Sequence, residues 1–269
     1  MLNGCFETRQ GEDSRTGFTL IELLVVVSVI AMLLAILLPS LSKVRALANR
    51  VVCGSNLNGL AEAWTVYLND HEGRFYQGIR ANLDYGGWKG IKGWWPRPLN
   101  RYVGLNDPNG VTETDAKVFC CPSDRGGIPG AFLREKAYYV HGTSYQTNIF
   151  LIGPNHCDAF SDNTTVLDQK ISQRLPNLNR DEVANPSRLL LIGDYGWINQ
   201  WTPRPYPIKE WKDLAEWHGK VDCHNMAFLD GRVEFLNIRK GDYVTDEYCV
   251  LPFQDLYELA RKVQGPAEQ

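Results

Sequence analysis

The chain has 269 residues, a formal net charge of −3 and a pI of about 6.0. Apolar residues make up 44% of the sequence, enough to bury a core, which excludes a globally disordered chain. There is no basic surplus, so the composition gives no support to nucleic-acid binding. The length suits one membrane segment followed by one extramembrane domain.

A polar N-terminus of mixed charge, residues 1–17, precedes an almost uninterrupted apolar run at residues 18–38. As a helix this run is about 31 Å long, close to the thickness of a bilayer core. A secretory signal is cleaved after its apolar core, but no small-residue cleavage site follows this run. The cleavage-like feature is Gly17, before it. We therefore predict a leader at 1–17 and a transmembrane helix at 18–38.

Glu22 is the only charged side chain in the apolar run. A carboxylate in a membrane helix is costly unless it is paired. If the chain is cut after Gly17, Phe18 carries a free amine one helical turn from Glu22. The carboxylate can then pair with its own amine or with that of a neighbouring subunit, and the second pairing would set the axial register between packed helices.

The segment GFTLIELLV at residues 17–25 resembles the processing site of type IV prepilins and type II secretion pseudopilins. The resemblance implies that a prepilin peptidase cuts after Gly17 and methylates Phe18. It also implies that Phe18 and Glu22 serve assembly, and that Pro39 is the helix-kinking proline that pilins often carry at this place.

The same resemblance implies a structural subunit of a type II secretion or type IV pilus-like fibre. Its partners would be the prepilin peptidase, other pilin or pseudopilin subunits and the inner-membrane assembly machinery. The chain would be a single-pass inner-membrane protein with a cytoplasmic N-terminus and a periplasmic domain. The alternative is a membrane-tethered exported binding protein, for example one that binds glycans, that does not polymerise.

Residues 39–71 change from a wholly apolar pattern to a helical periodicity. Pro39 lacks an N–H and is expected to loosen or bend the helix, and Gly73 is its expected stop. The sequence therefore predicts one long helix, half in lipid and half packed on a domain. The apolar positions of the second half are Leu41, Val44, Ala48, Val51, Leu57, Leu60, Ala61, Trp64 and Leu68.

The remaining residues, 72–269, predict an α+β domain with a loop-rich antiparallel sheet. Residues 188–194 are a buried strand candidate, and residues 226–235 are the clearest hairpin, with Asp230-Gly231 suited to a type I′ turn. Residues 254–263 predict a short C-terminal helix.

Several further motifs resemble those of a long prepilin group found in planctomycete and lentisphaera-type bacteria. That resemblance implies no activity for the soluble domain. The motifs are Cys53-Gly54-Ser55-Asn56-Leu57, Cys121-Pro122-Ser123-Asp124, Ser144-Tyr145-Gln146-Thr147-Asn148, Pro186-Ser187-Arg188 with Gly193-Asp194, Trp217-His218-Gly219-Lys220 with Asn225, and Asp230-Gly231-Arg232-Val233.

An even set of six cysteines remains once Cys5 leaves with the leader, and in an exported domain such a set favours disulfides. The connectivity is not readable from sequence. Cys53–Cys121 is the preferred pair because it would tie the helix to the first loop of the domain. The candidates are Cys53, Cys120, Cys121, Cys157, Cys223 and Cys249.

Two metal hypotheses compete with structural cysteines and surface charges. The first uses His156, Cys157, His218, Cys223 and His224, but their spacing matches no standard zinc pattern. The second places calcium among Asp222, Asp230, Asp242, Asp246 and Glu247, which lack the usual calcium-loop spacing. We predict no metal site and no other cofactor, with calcium the one ion left open.

No nucleophile motif surrounds the histidines, so an enzyme is not predicted. The tryptophans of the domain lie in Gly/Pro-rich stretches and are expected to pack loops over the sheet. The alternative is that some stack on sugars, with Trp94 and Trp95 as the test pair. Those considered are Trp88, Trp94, Trp95, Trp197, Trp201, Trp211 and Trp217.

Overall fold

The computed structural model describes residues 19–78, 81–107, 110–126, 135–152, 166–201 and 217–263. The chain divides into two compact units, Met1–Arg45 and Ala46–Gln269. Helix α1, Leu20–Asp70, begins in the first unit and ends in the second. The other described helices are α2 (Ala81–Asp84), α3 (Ala137–His141), α4 (Val166–Arg174) and α5 (Tyr257–Val263).

The described part of the first unit is helical and apolar, and its large apolar side chains are all exposed. By length and composition this is a helix that can cross a membrane. Pro39 lies inside the helix without ending it. The serine that follows it, Ser40, donates a hydrogen bond from its hydroxyl to the carbonyl of Leu37 at 2.8 Å.

The second unit is built on a four-stranded antiparallel sheet in the order β1-β2-β3-β4. The predicted α+β class, with a long N-terminal helix and an antiparallel sheet, is confirmed. The strands are β1 (Tyr145–Thr147), β2 (Leu190–Asp194), β3 (Cys223–Phe228) and β4 (Val233–Asn237). Short 3₁₀ turns cover Pro98–Val103, Lys117–Phe119, Leu175–Asn177, Arg180–Glu182, Trp197–Gln200 and Gln254–Leu256.

The buried face of α1 begins at Cys53 and ends at Leu68. Its periodic positions from Leu57 onward are confirmed, whereas Leu41, Val44 and Val51 are at least 57% exposed. The helix ends at Asp70, and Gly73 is its stop as predicted. Gly73 has a φ of 78°, and its N–H donates to the carbonyl of Leu68 at 2.7 Å.

The β3–β4 hairpin is confirmed, but its turn is not of type I′. A type I′ turn needs a positive φ at both central residues. Gly231 has a φ of 92°, while Asp230 is not among the described residues with a positive φ. The loop instead has three residues, closed by the N–H of Phe228 donating to the carbonyl of Arg232 at 2.8 Å.

Candidate functional site

Four buried side chains from four separate chain segments meet in the second unit. Cys53 comes from α1, and Cys121 follows the 3₁₀ turn Lys117–Phe119. Asp194 is the last residue of β2, and His218 lies in the turn before β3. The two sulfurs, a carboxylate oxygen and a ring nitrogen lie within 4.8 Å of one another. We call Cys53, Cys121, Asp194 and His218 the CCDH cluster.

The carboxyl group of Asp194 lies at the centre of the cluster. The thiol of Cys53 donates to its Oδ1 at 2.9 Å. Its Oδ2 is 3.2 Å from Nε2 of His218 and accepts the backbone N–H of Asn225 at 2.7 Å. Nε2 of His218 is also 3.7 Å from Sγ of Cys121. Each member of the cluster therefore has a polar contact with another member.

The cluster is closed to solvent, which sets the protonation of its members. The side chains of His218 and Asp194 are 1% and 3% exposed. Burial raises the pKa of the Cys53 thiol well above its usual value and also raises that of Cys121. Burial lowers the pKa of His218, but hydrogen bonds to Asp194 and Cys53 outweigh it and raise the pKa to about 10. Two neutral thiols therefore stand beside a protonated imidazole.

Neighbouring residues hold the cluster in place. Tyr145 of β1 pairs in register with Asp194, and its hydroxyl accepts a hydrogen bond from Asn56 at 3.2 Å. The amide of Asn225 lies 3.1 Å from Nε2 of His218. Gly54 of α1 faces the sheet at ordinary contact distance: a Cβ there would be 3.8 Å from Val233 and 4.0 Å from the side chain of Asn225.

The loop that carries Cys121 is anchored by Asp124. Its carboxylate accepts the Ser144 hydroxyl at 2.7 Å and the backbone N–H groups of Tyr138 at 2.8 Å and of Ala137 and Gly126 at 3.1 Å. These bonds tie the loop to α3 and to the residue before β1. The position of Cys121 therefore depends on a buried polar network.

His224 of β3 lies beside the cluster and is itself buried, and its Nε2 has no hydrogen-bond partner among the described residues. Burial lowers its pKa to about 4, although the nearby Asp194 and Asp222 act in the opposite sense. The folded chain therefore keeps His224 neutral at pH 5, while the unfolded chain binds a proton below about pH 6.5. The stability that this provides is complete above pH 6.5 and is lost as the pH falls towards 4.

We expect the free energy of unfolding to lose about 2 kcal/mol between pH 7 and pH 5 through His224 alone. In the His224→Phe variant this loss should disappear, so its denaturant midpoint should fall less than that of the parent chain over this range. The exposed His71, replaced by Phe, serves as the control and should leave the parent pH dependence in place. An unchanged pH dependence in His224→Phe would contradict the assignment.

The processing residues fall at the N-terminal edge of the described chain. Gly17 and Phe18 lie outside the described residues, and Glu22 and Pro39 are exposed on α1. Glu22 has a partner that the sequence analysis missed. Oε2 of Glu22 accepts hydrogen bonds from the backbone N–H of Thr19 at 2.9 Å and from the Thr19 hydroxyl at 2.8 Å. In return, the Thr19 hydroxyl oxygen accepts the backbone N–H of Glu22 at 3.2 Å. This reciprocal pair is a capping box, which the pattern Thr-x-x-Glu could have revealed.

The preferred cysteine pair, Cys53 and Cys121, does come together, but both are free thiols in the structure, as are the other described cysteines. The pairing as a disulfide stays a prediction. Cys120 and Cys223 are half-buried, and the buried Cys249 accepts the Tyr257 hydroxyl at 3.3 Å. Cys157 lies outside the described residues.

Neither metal grouping considered from the sequence is a ligand cluster among the described residues. His218 belongs to the CCDH cluster, whereas Cys223 and His224 do not, and His156 and Cys157 lie outside the described residues. The acidic residues between 222 and 247 do not form a ligand group in the described part of the domain. Calcium there stays the alternative that the sequence left open. Asp194 was missed as a ligand candidate, although the motif Gly193-Asp194 marked its position.

The tryptophans mostly pack inside, as expected. Trp197 is fully buried, and Trp201 and Trp217 are 9% exposed. Trp94 is 59% exposed, while Trp88 and Trp95 are half-buried. Trp211 lies outside the described residues.

One family model matches the chain. The prokaryotic N-terminal methylation motif covers residues 13–38, the segment that contains the Gly17-Phe18 junction, Glu22 and the apolar part of α1. No curated protein and no solved structure matches the chain. The CCDH cluster thus lies outside the matched segment. The match identifies the N-terminal segment: the chain carries the prokaryotic N-terminal methylation motif, as type IV pilin- and pseudopilin-like proteins do.

Proposed function

We propose that the chain is a structural subunit of a type II secretion or type IV pilus-like fibre. A prepilin peptidase cuts it after Gly17 and methylates Phe18. It then resides as a single-pass inner-membrane protein, with its N-terminus cytoplasmic and its domain periplasmic, until it is incorporated. The observation that carries the proposal is the methylation motif at 13–38 on an apolar helix whose large side chains are all exposed.

The physical argument rests on Glu22. Its carboxylate is the one charge between residues 18 and 38, and such a charge is retained in a membrane helix where it has a functional partner. Thr19 satisfies part of its hydrogen-bonding capacity through the capping box. The methylated amine of Phe18 on a neighbouring subunit would supply the opposite charge, and packing of the exposed apolar side chains would supply the contact area.

Two variants of Glu22 separate capping from charge. Glu22→Gln keeps an oxygen for the capping box but removes the charge, whereas Glu22→Ala removes both. We expect both variants to insert into the membrane and both to lose incorporation into sedimentable fibres by at least about tenfold, the factor that 1.4 kcal/mol represents. The matched control is Glu62→Gln, an exposed carboxylate on the same helix within the second unit, which should incorporate normally.

The intact mass of the protein from its native membrane completes the test. The mature chain is expected to start at Phe18 and to carry one added methyl group. Normal incorporation of Glu22→Gln would show that Glu22 acts only as a helix cap, and the fibre proposal would lose its physical basis. An uncut chain starting at Met1 would exclude processing altogether.

A further inference from the structure

We propose that the CCDH cluster binds one zinc ion, with the sulfurs of Cys53 and Cys121, a carboxylate oxygen of Asp194 and Nε2 of His218 as its four ligands. The inference concerns the second unit alone. It stands whether or not the chain polymerises, because none of the four residues belongs to the N-terminal segment.

The distances between the ligand atoms are those of a tetrahedral zinc site. Zn–S bonds of about 2.3 Å and Zn–N or Zn–O bonds of about 2.0–2.1 Å place a sulfur and a nitrogen ligand about 3.6 Å apart, and a nitrogen and an oxygen ligand about 3.3 Å apart. In the structure Cys121 Sγ and His218 Nε2 are 3.7 Å apart. His218 Nε2 and Asp194 Oδ2 are 3.2 Å apart. Both distances fit without moving a side chain by more than a few tenths of an ångström.

The Cys53–Asp194 contact has a different origin. At 2.9 Å it is shorter than the separation of sulfur and oxygen ligands on one zinc ion, because the thiol proton lies between the two atoms. Zinc binding replaces that proton, so the contact should lengthen. Oδ2, the carboxylate oxygen nearest to Nε2 of His218, is then the ligand, and it still accepts the backbone N–H of Asn225.

The set of donors selects the metal. Two thiolates and an imidazole suit zinc, whereas calcium and magnesium prefer oxygen ligands alone. Four protein ligands fill a tetrahedral shell, which is the pattern of structural rather than catalytic zinc sites. The ligands come from α1, the loop after Lys117–Phe119, the end of β2 and the turn before β3, so the ion would join the helix to the sheet.

A disulfide without a metal explains fewer of the buried side chains in the cluster than a zinc ion does. A Cys53–Cys121 disulfide would account for the two sulfurs, but it would leave the side chains of Asp194 and His218 buried beside it without a role. A bound cation provides a reason for all four side chains to be buried together.

The full-length chain, purified in detergent with its thiols reduced, allows a direct test. Metal analysis is expected to give one zinc per chain. The cobalt-substituted protein should show the strong visible bands of a tetrahedral ion and a thiolate-to-cobalt band in the near ultraviolet. Because the cobalt spectrum is recorded on the unmutated protein, it does not depend on whether a variant folds.

Variants then assign the ligands. Cys121→Ser and His218→Ala should each weaken zinc binding by more than about 100-fold, because each removes one of the four ligands. The matched control is Cys120→Ser, the adjacent cysteine outside the cluster, which should bind zinc as the parent chain does. A Cys53–Cys121 disulfide in the natively isolated protein, with no metal bound, would overturn the proposal. Unchanged zinc affinity in Cys121→Ser would do the same.

Discussion

Replacement of Arg97 by Ala is expected to lower the free energy of unfolding of the domain by about 3–5 kcal/mol. The guanidinium is fully buried and lies 3.3 Å from the carboxylate of Asp84, which is 3% exposed. Arg97 also donates to four backbone carbonyls at 2.6–3.0 Å. These carbonyls belong to Leu83, Gly86, Lys89 and His141.

The large effect comes from what the substitution leaves behind. Without Arg97 the buried carboxyl group of Asp84 loses the guanidinium beside it, and the carbonyls lose a charged donor. Arg97→Lys keeps the charge but lacks the planar fork that reaches several carbonyls at once, so we expect it to recover only part of the loss. The measurement is the thermal midpoint of the full chain in detergent, where 1 kcal/mol corresponds to about 2–4 °C for a domain of this size.

Arg101→Ala is the matched control. Arg101 forms an ion pair of similar length, 3.2 Å, with Asp70, but the two side chains are 65% and 45% exposed. Exposed pairs contribute about 0–1 kcal/mol, so the midpoint should move by a few degrees at most. Equal shifts for Arg97→Ala and Arg101→Ala would mean that burial of the ion pair does not govern its contribution.

The parts of the fold that the sequence predicted are those with local patterns. The buried strand β2 and the end of α1 were found from a run of apolar residues and from Gly73. The exposure of Leu41, Val44 and Val51 was not foreseen, because helical periodicity states which residues share a face but not whether a partner covers that face. The type of the β3–β4 turn was wrong for a related reason: Asp-Gly suits several hairpin loops, and strand register decides among them.

The candidate site shows more strongly that local patterns can be predicted from the sequence, whereas contacts made by the fold cannot. Spacing rules for metals work when ligands are neighbours in sequence, so they drew attention to His156-Cys157 and Cys223-His224. The CCDH cluster instead has one ligand in each of four segments, and residues 53 and 218 meet only through the fold. Its members nevertheless all lie in motifs that carried the resemblance to long prepilins. The site is therefore formed by motifs that are far apart in the sequence. It can be recognised only when the positions of the strands show that these motifs lie together.

Asp124 is the second position where a large effect is expected. Asp124→Ala should lower the free energy of unfolding by about 3–5 kcal/mol, because it leaves a hydroxyl and three backbone N–H groups buried without their acceptor. Burial raises the pKa of this carboxyl group, although the four hydrogen bonds lower it. Asp124→Asn retains the shape but only one acceptor oxygen, so it should recover part of the stability.

Asp115→Ala is the control that shows how far the effect of Asp124→Ala depends on the burial of the carboxylate. Asp115 also accepts hydrogen bonds from a backbone N–H and a hydroxyl, both of Thr112, but it is exposed. Water replaces those bonds when the carboxylate is removed, so the loss should stay within about 1 kcal/mol. Denaturation followed by tryptophan fluorescence measures both variants on the same scale. Equal midpoints for Asp124→Ala and Asp115→Ala would show that the network around Asp124 does not stabilise the loop.

The contribution of Asp124 to stability and its positioning of Cys121 can be tested separately, because Asp124→Asn should remain folded. If the network positions Cys121 for a metal, that variant should bind zinc about 10- to 100-fold more weakly than the parent chain while keeping most of its secondary structure. Unchanged zinc affinity would mean that the loop holds Cys121 without Asp124. The buried carboxylate would then serve the packing of α3 and β1 alone, and the geometry of the CCDH cluster would depend on α1 and the sheet.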